Sequence, residues 1–240
     1  RQGEGGQQRT RTYDAVDLDS RLGPSAFIGF TSGNVRDPAS HQVSNFSFAT
    51  GATLPGMRVE LPANGPGPWV VQASPADTGF AFTSPAEGPT ATFADRNNTR
   101  AAAWYPQPVR VSQDFTVSFR YRHSSGADGM ALVLQRGSAP TKALGGGGGG
   151  LGYAGIQGPK VGYLINIYGK TVTRFDTTGS TGATNPVPLL EADTWVTVTL
   201  TYDAQAKTLT ERLATASDSY SRVYPDVDLV ELLGGSTAIN

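Results

Sequence analysis

The stretch TWVTVTLTYDAQAKTLTERL, residues 194–213, carries the clearest strand pattern in this sequence. Every second residue from Val196 to Tyr202 is apolar and threonine fills the positions between, so one face of a strand would be apolar and the other hydroxylated. Residues 203–207 supply a turn, and residues 208–213 would return beside the first strand. The stretch therefore predicts a half-buried antiparallel hairpin.

Short strands with similar patterns recur along the chain. Residues 115–121 alternate in the same way, and residues 130–134 form a continuous apolar run that is typical of a strand buried on both faces. Many short strands separated by turns predict an all-β fold, an antiparallel sandwich. Further strands are predicted at residues 26–31, 43–48, 57–61 and 161–168.

The composition favours strands and turns, and it excludes several classes of protein. The 240 residues fit one large all-β domain or two small domains. With 19 basic and 20 acidic residues, the net charge of −1 provides no basic surface for nucleic acid. No apolar run approaches the roughly 20 residues of a membrane-spanning helix, so we expect no membrane span. The absence of cysteine excludes disulfides and thiolate metal sites.

The two ends of the chain resemble each other in sequence. When residues 1–29 are aligned with residues 212–240, ten of the 29 positions are identical, whereas chance gives about two. We interpret the chain as slightly more than one period of a tandem array, and a circularly permuted single domain is the alternative. The predicted divisions are closing strands of a preceding repeat at 1–49, a linker rich in Pro and Gly at 50–78, and a sandwich lacking its last strands at 79–240.

This interpretation also predicts how the chain would associate. A sandwich without its last strands would expose a sheet edge and the apolar face that those strands cover, which is an association hazard. We therefore expect neighbouring copies of the same repeat as partners, and self-association of the isolated chain.

Five segments of the chain resemble the L-type (legume-like) lectin domains. GADGMALVLQ, residues 126–135, resembles the Ala-Asp-Gly strand of that family. ALGGGGGGLGYAGI, residues 143–156, resembles its glycine-rich sugar-binding loop. The family's closing strands, in which Gly-Phe-Thr leads to a His and a final aromatic strand, resemble SAFIGFTSGNVRDPASHQVSNFSF. The resemblance implies a two-sheet antiparallel jelly-roll sandwich with sugar bound at the loops of one end. The five segments are residues 25–48, 101–122, 126–135, 143–156 and 194–213.

The same resemblance implies which residues would bind sugar. Asp128 would accept hydrogen bonds from adjacent sugar hydroxyls, and Gly148, Gly149 and Gly150 would supply backbone amides. A loop without side chains lets its N–H groups come close to a ligand, and a carboxylate makes strong charge-assisted hydrogen bonds. Two other interpretations remain open, namely that Asp128 is only a turn residue and that the glycine run is a flexible linker.

The metal-binding pattern of the family is degenerate in this chain. Family members normally carry a strand and loop resembling E-x-D-x-Y-x-N, then an Asp and a His, and the bound Ca²⁺ fixes the sugar-binding Asp and its preceding peptide bond. Here Leu164 replaces the glutamate, Asn166 the first aspartate and Lys170 the asparagine. Tyr168 keeps its place, and Asp176 follows further on.

These replacements predict that the loop binds no metal and that the protein has no cofactor. A hard divalent cation needs several anionic oxygens, and this loop offers one carboxylate. The ammonium group of Lys170 would either occupy the position of the Ca²⁺ or lie in solvent.

No catalytic set can be recognised in the sequence, so we expect a protein that is not an enzyme. Glycoside hydrolases on the same sandwich need two carboxylates on one strand or on facing strands, and no E-x-D-x-E pattern occurs. His41 and His123 are predicted to be structural or surface residues. The six glutamates are isolated from one another, at positions 4, 60, 87, 191, 211 and 231.

Two acceptor sequons for N-linked glycosylation occur, at Asn45 and Asn97. Together with the lectin resemblance they favour an extracellular or cell-surface protein. We expect a structural repeat of a surface fibre with weak glycan binding, and a carbohydrate-binding module of an adhesin is the alternative. The retained Asp128 and glycine loop favour binding, whereas the degenerate metal loop and the terminal repeat favour a structural role.

Overall fold

The chain forms two antiparallel β-sheets packed face to face, as seen in a computed structural model. This confirms the prediction of an all-β two-sheet sandwich, and the arrangement is compatible with a jelly roll. The structure describes residues 25–34, 39–50, 58–63, 65–75, 80–86, 88–93, 97–168, 172–179, 187 and 189–235.

In the described part of the chain, seven strands form the first sheet. In spatial order they are β12 (Val172–Asp176), β11 (Lys160–Asn166), β10 (Gly129–Gln135), β1 (Ser25–Asn34), β7 (Thr99–Trp104) and β4 (Val70–Ser74), with β8 (Val109–Arg110) paired to β1.

Eight strands of the described residues form the second sheet. In spatial order they are β15 (Ser219–Tyr224), β14 (Thr208–Ala214), β13 (Val196–Asp203), β9 (Phe115–His123), β2 (His41–Thr50), β6 (Thr90–Phe93) and β5 (Ala81–Thr83), with β3 (Arg58–Glu60) paired to β2. The helices among the described residues are short: two 3-10 turns (Pro140–Lys142 and Gly148–Gly150) and one α-helix, α1 (Leu229–Leu232). None of these helices is long and apolar enough to cross a membrane.

The period-2 pattern places side chains as the sequence predicts. In β13 the apolar residues are buried and the threonines between them are more exposed, and β9 alternates in the same way. The two strands pair with Val198 opposite Phe119, and the predicted hairpin closes with Asp203 opposite Thr208. The predicted strands at 26–31 and 43–48 lie within β1 and β2.

An aromatic cluster between the sheets ties β1 and β2 to the rest of the sandwich. Phe30 of β1 makes edge-to-face contacts with Phe119 of β9 and Phe46 of β2, at centroid distances of 5.3 and 5.1 Å. Such pairs add about 0.5–1.5 kcal/mol to the free energy gained by burying the rings. In this single chain, β1 and β2 therefore take internal positions in the two sheets, and the assignment of residues 1–49 to a preceding repeat stays a prediction.

The segment predicted as a linker contributes more to the sandwich than the one short strand expected there. β3 lies at that predicted strand, but β4 was not predicted and pairs with β7 along its length. Trp69, just before β4, is buried and donates from Nε1 to the carbonyl of Glu60 at 3.0 Å. Of the two similar terminal segments, most of the first, residues 1–24, lies outside the described residues. The described part of the second, residues 212–235, spans the end of β14, β15 and α1.

Candidate functional site

Asp128 lies at one end of the seven-stranded sheet, immediately before β10. β10 pairs with β1 so that Gly129 lies opposite Gly33. The peptide bond between Ala127 and Asp128 is cis. Asp128 is 7% exposed, so the residue lies just below the surface and is largely shielded from water. A hydrogen bond to such a group is stronger than one made in bulk water.

The glycine-rich loop folds onto the same end of the sheet and is ordered by its own backbone. Gly145 N donates to Gly152 O and Gly146 N to Ala154 O, each at 2.7 Å. Gly152 N donates back to Gly146 O at 2.8 Å, which closes the loop into a compact unit. Among the described residues, this run of glycines is therefore a structured loop and not a flexible linker.

Gly33 brings the loop and Asp128 together. A Cβ atom on Gly33 would lie 2.9 Å from Gly148 N and 3.0 Å from Gly147 Cα, so the loop packs directly on the backbone of β1. Since Gly33 also lies opposite Gly129, the end of β1 has Asp128 on one side and Gly148 on the other. The structure thus places these two sequence-predicted elements at the same end of the sheet.

The three predicted binding glycines differ in their surroundings. Gly148 is buried, and Gly149 is exposed with open space where a side chain would be. Gly150 donates its N–H to Gly147 O at 3.0 Å within the loop. Gly149 is therefore the exposed residue of this turn.

A small apolar cluster anchors the underside of the loop to the outer face of the sheet. Trp104 donates from Nε1 to Ala143 O at 2.8 Å, and Thr31 Oγ1 donates to Leu151 O at 2.9 Å. Leu164, which stands where the lectin pattern has a glutamate, is part of this cluster as a buried apolar side chain. The cluster consists of Ala102, Trp104, Ala131, Val133, Leu151, Tyr153, Ile156 and Leu164.

The other residues of the degenerate metal pattern are dispersed. Asn166 Oδ1 accepts a hydrogen bond from Tyr168 N at 2.9 Å, and the Tyr168 side chain is 67% exposed beyond the end of β11. Lys170 lies outside the described residues. The described residues hold no group of three or more His, Asp or Glu side chains that could bind a metal ion.

Asp176 was counted as the one carboxylate of the metal loop, but the structure places it away from the loop. Asn166 pairs with Val172 at the start of β12, whereas Asp176 pairs with Gly162. Asp176 therefore lies four residues further along β12, about 13 Å from the loop that joins β11 to β12. It is buried, accepts a hydrogen bond from Tyr153 OH at 3.1 Å and forms an ion pair with Arg174 at 3.0 Å. Burial, and then the nearby Asp176, raises the pKa of Tyr153, so that its hydroxyl stays a donor.

Sequence reasoning missed a buried polar group behind Asp128. Asn34, the last residue of β1, accepts at Oδ1 from Asp128 N at 3.3 Å. The His41 ring lies between this Oδ1, at 3.3 Å from Nε2, and the Tyr121 hydroxyl, at 3.1 Å from Nδ1. Burial, and then His123, lowers the pKa of His41 to about 3, so the ring is neutral near neutral pH. In the sequence, the only indication of this polar group was the run Gly-Phe-Thr-Ser-Gly-Asn, residues 29–34, followed by a histidine.

The two sequons lie on exposed residues. Asn45 is exposed in β2, at an irregularity in its pairing with β9, and its backbone φ is 50°. Strand alternation accounts for this exposure, since Phe46 and Phe48 are buried on the other side. Asn97 is exposed in a turn before β7. Their glycosylation stays a prediction.

No protein-family model matches the chain. The assignment of a function therefore depends on the geometry of the sheet end and on the residues themselves.

Replacing Gly33 by alanine should displace the glycine loop. The new Cβ would meet backbone atoms of Gly147 and Gly148 that cannot rotate away, and overpacking of this kind costs about 1–3 kcal/mol. We expect a lower free energy of unfolding and faster hydrogen exchange at the amides of residues 145–154. Gly149→Ala is the matched control, because nothing lies within 4 Å of its added Cβ. Equal effects of the two substitutions would contradict the packing described above.

Acid should destabilise the protein partly through His41. The pKa is about 6.5 in the unfolded chain and about 3 in the folded chain, so only the unfolded state binds the proton between these values. The free energy of unfolding therefore falls as pH decreases from about 6.5 to about 3, by up to about 1.4 kcal/mol per pH unit. Urea titrations of the natural chain and of His41→Gln should show a shallower pH dependence in the variant. Parallel pH profiles would show that His41 does not titrate as described.

Proposed function

We propose that this chain is a non-enzymatic carbohydrate-binding module of an extracellular or cell-surface protein. The proposed sugar site is the end of the seven-stranded sheet where Asp128 meets the turn at Gly148–Gly150. The observation that carries the proposal is the convergence of a shielded carboxylate and an ordered glycine loop on Gly33.

The chemistry of these groups suits a neutral sugar. A carboxylate such as that of Asp128 can accept hydrogen bonds from two adjacent hydroxyls, and a backbone amide such as that of the exposed Gly149 can donate to a sugar oxygen. Tyr168 lies two residues after Asn166, which pairs with Gly129, and Ile167 N donates to Asp128 O, so the Tyr168 backbone is close to Asp128. We propose its exposed ring as an apolar wall for a pyranose face. The resemblance to L-type lectin domains supports the same end of the sandwich as the binding site.

The surroundings of the glutamates support a protein that is not an enzyme. Glycoside hydrolysis needs two carboxylates facing a substrate at a separation of about 5–10 Å. Among the described residues, Glu211 is the one buried glutamate, and it lies between the sheets. Its Oε1 accepts from Tyr163 OH at 2.8 Å and its Oε2 from Tyr224 OH at 2.7 Å, so a substrate would have to displace core side chains to reach it.

Replacing the sugar-binding acid should abolish or strongly weaken glycan binding. Asp128→Asn keeps the size of the side chain but removes the charge, and a hydrogen bond to a charged group contributes about 1.5–3 kcal/mol, or about ten- to 150-fold in affinity. We expect glycans found on an array with the natural chain to bind with and without chelator, and to be lost with Asp128→Asn. Asp218→Asn, at an exposed turn of the other sheet, is the matched control. Binding that disappears with chelator, or that survives Asp128→Asn, would contradict the proposed site.

A second candidate function, a structural repeat of a surface fibre, is favoured by the similarity of residues 1–29 and 212–240. It is also supported by β15, which forms the outer edge of the eight-stranded sheet, with Val223 56% exposed. An uncovered edge strand can pair with a strand of a neighbouring copy.

Light scattering over a range of concentrations separates the two candidates. A fibre repeat should self-associate, and Val223→Lys should reduce the association because a charged edge opposes pairing. Val70→Lys, on the edge strand β4 of the other sheet, is the control and should leave the association unchanged. A compact monomer at all concentrations would contradict the structural-repeat function.

A further inference from the structure

Three buried polar residues form a continuous hydrogen-bonded chain from the core to Asp128. Tyr121 comes from β9, His41 from β2 and Asn34 from the end of β1, so the chain connects both sheets. All three residues are buried. Their contacts run from the Tyr121 hydroxyl to His41 Nδ1, from His41 Nε2 to Asn34 Oδ1, and from Asn34 Oδ1 to Asp128 N.

The partners fix the direction of every hydrogen bond in this chain. The amide nitrogen of Asp128 can only donate, so the atom of Asn34 that faces it must be the carbonyl oxygen. Since that oxygen can only accept, His41 Nε2 must carry the ring proton, and His41 Nδ1 then accepts from the Tyr121 hydroxyl. Asn34 Nδ2 donates to Ala39 O at 3.0 Å.

Two hydrogen bonds hold the peptide unit before Asp128, one at its carbonyl and one at its amide. Ala39 N donates to Ala127 O at 3.0 Å, and Asp128 N donates to Asn34. On the other flank, Ile167 N donates to Asp128 O at 2.9 Å. The backbone on each side of the Asp128 side chain is therefore tied to the protein.

We infer that Asn34, His41 and Tyr121 are positioning residues, which orient Asp128 so that it binds its ligand without a metal ion. The part of the inference that concerns a ligand rests on the proposed function. The direction of the hydrogen bonds does not depend on it. Burying a hydroxyl, an imidazole and an amide is unfavourable unless each is satisfied, and apolar side chains would pack this region at lower cost. In this arrangement each group is satisfied by the next, and the chain ends at the acid of the candidate site.

The test compares two variants that each remove one buried tyrosine hydroxyl. Tyr121→Phe breaks the chain at its inner end, whereas Tyr163→Phe removes a hydroxyl that donates to Glu211. We expect both variants to lower the denaturation midpoint. Only Tyr121→Phe should weaken binding of the array-identified glycan, by about three- to tenfold, in the presence of chelator. Equal affinities in the two variants would overturn the inference.

Nuclear magnetic resonance provides a second measurement that needs no ligand, and its first part uses the natural chain alone. The ¹⁵N shifts of the two His41 ring nitrogens should show a neutral ring protonated at Nε2 at pH 7. In Tyr121→Phe the backbone amide of Asp128 should shift, and in Tyr163→Phe it should not. A ring protonated at Nδ1 would overturn the inference. A natural chain that binds no glycan but shows these signals would refute the proposed function and leave the positioning chain in place.

Discussion

The candidate site depends on a place where backbones approach more closely than side chains would allow. Gly33 touches the glycine loop on one side and pairs with Gly129 on the other. Gly129 itself has a φ of 150°, and a Cβ there would lie 2.1 Å from Ile165 O. Because neither position accepts a side chain, Asp128, the loop and the end of β11 can meet at one end of the sheet. A side chain at either glycine would separate them.

The sandwich beneath this contact is rigid enough to hold it. Gly29 performs a related role further along β1, since a Cβ there would meet the Trp104 indole at 2.3 Å. The indole therefore lies flat over β1 and donates to the loop at Ala143. On the inner face of the same strand, Phe30 packs against the second sheet. β1 thus connects the hydrophobic core, which gives most of the stability, to a loop that contributes few apolar contacts.

The strands with strict alternation could be predicted from sequence, and other features could not. Residues 115–121 and 196–202 alternate because one face of each strand is buried and the other is not. β4 has no such period, since its residues are all half-buried and it follows a run of Pro and Gly. Its assignment depends on pairing with β7, which is a long-range contact that local patterns do not encode.

The prediction of the site was limited in the same way, because long-range strand pairing is not encoded in local sequence patterns. Asp128 and the glycine loop could be located because motifs carry them, and the structure places them at one end of the sheet. Asp176 was misplaced because its position depends on the register of β11 and β12, which sequence spacing does not give. Asn34 and His41 were not linked to Asp128 because their hydrogen bonds join strands far apart in sequence. Motifs therefore identify single groups, whereas pairing determines which groups meet.

Two of the buried polar clusters that the described residues form end differently, which explains why only one of the two is assigned to the site. At the open edge between β12 and β15, Glu211 accepts from Tyr163, Thr173 and Tyr224, and Arg222 donates to Thr173 O at 3.1 Å. All of these groups satisfy one another, so the cluster joins the two sheets at that edge and offers nothing to a ligand. The chain through Asn34 instead ends on the backbone of Asp128, the acid of the candidate site, which is 7% exposed. A polar cluster whose groups all satisfy one another stabilises the fold. A cluster that ends at the acid of a candidate site can also determine how that acid contacts a ligand.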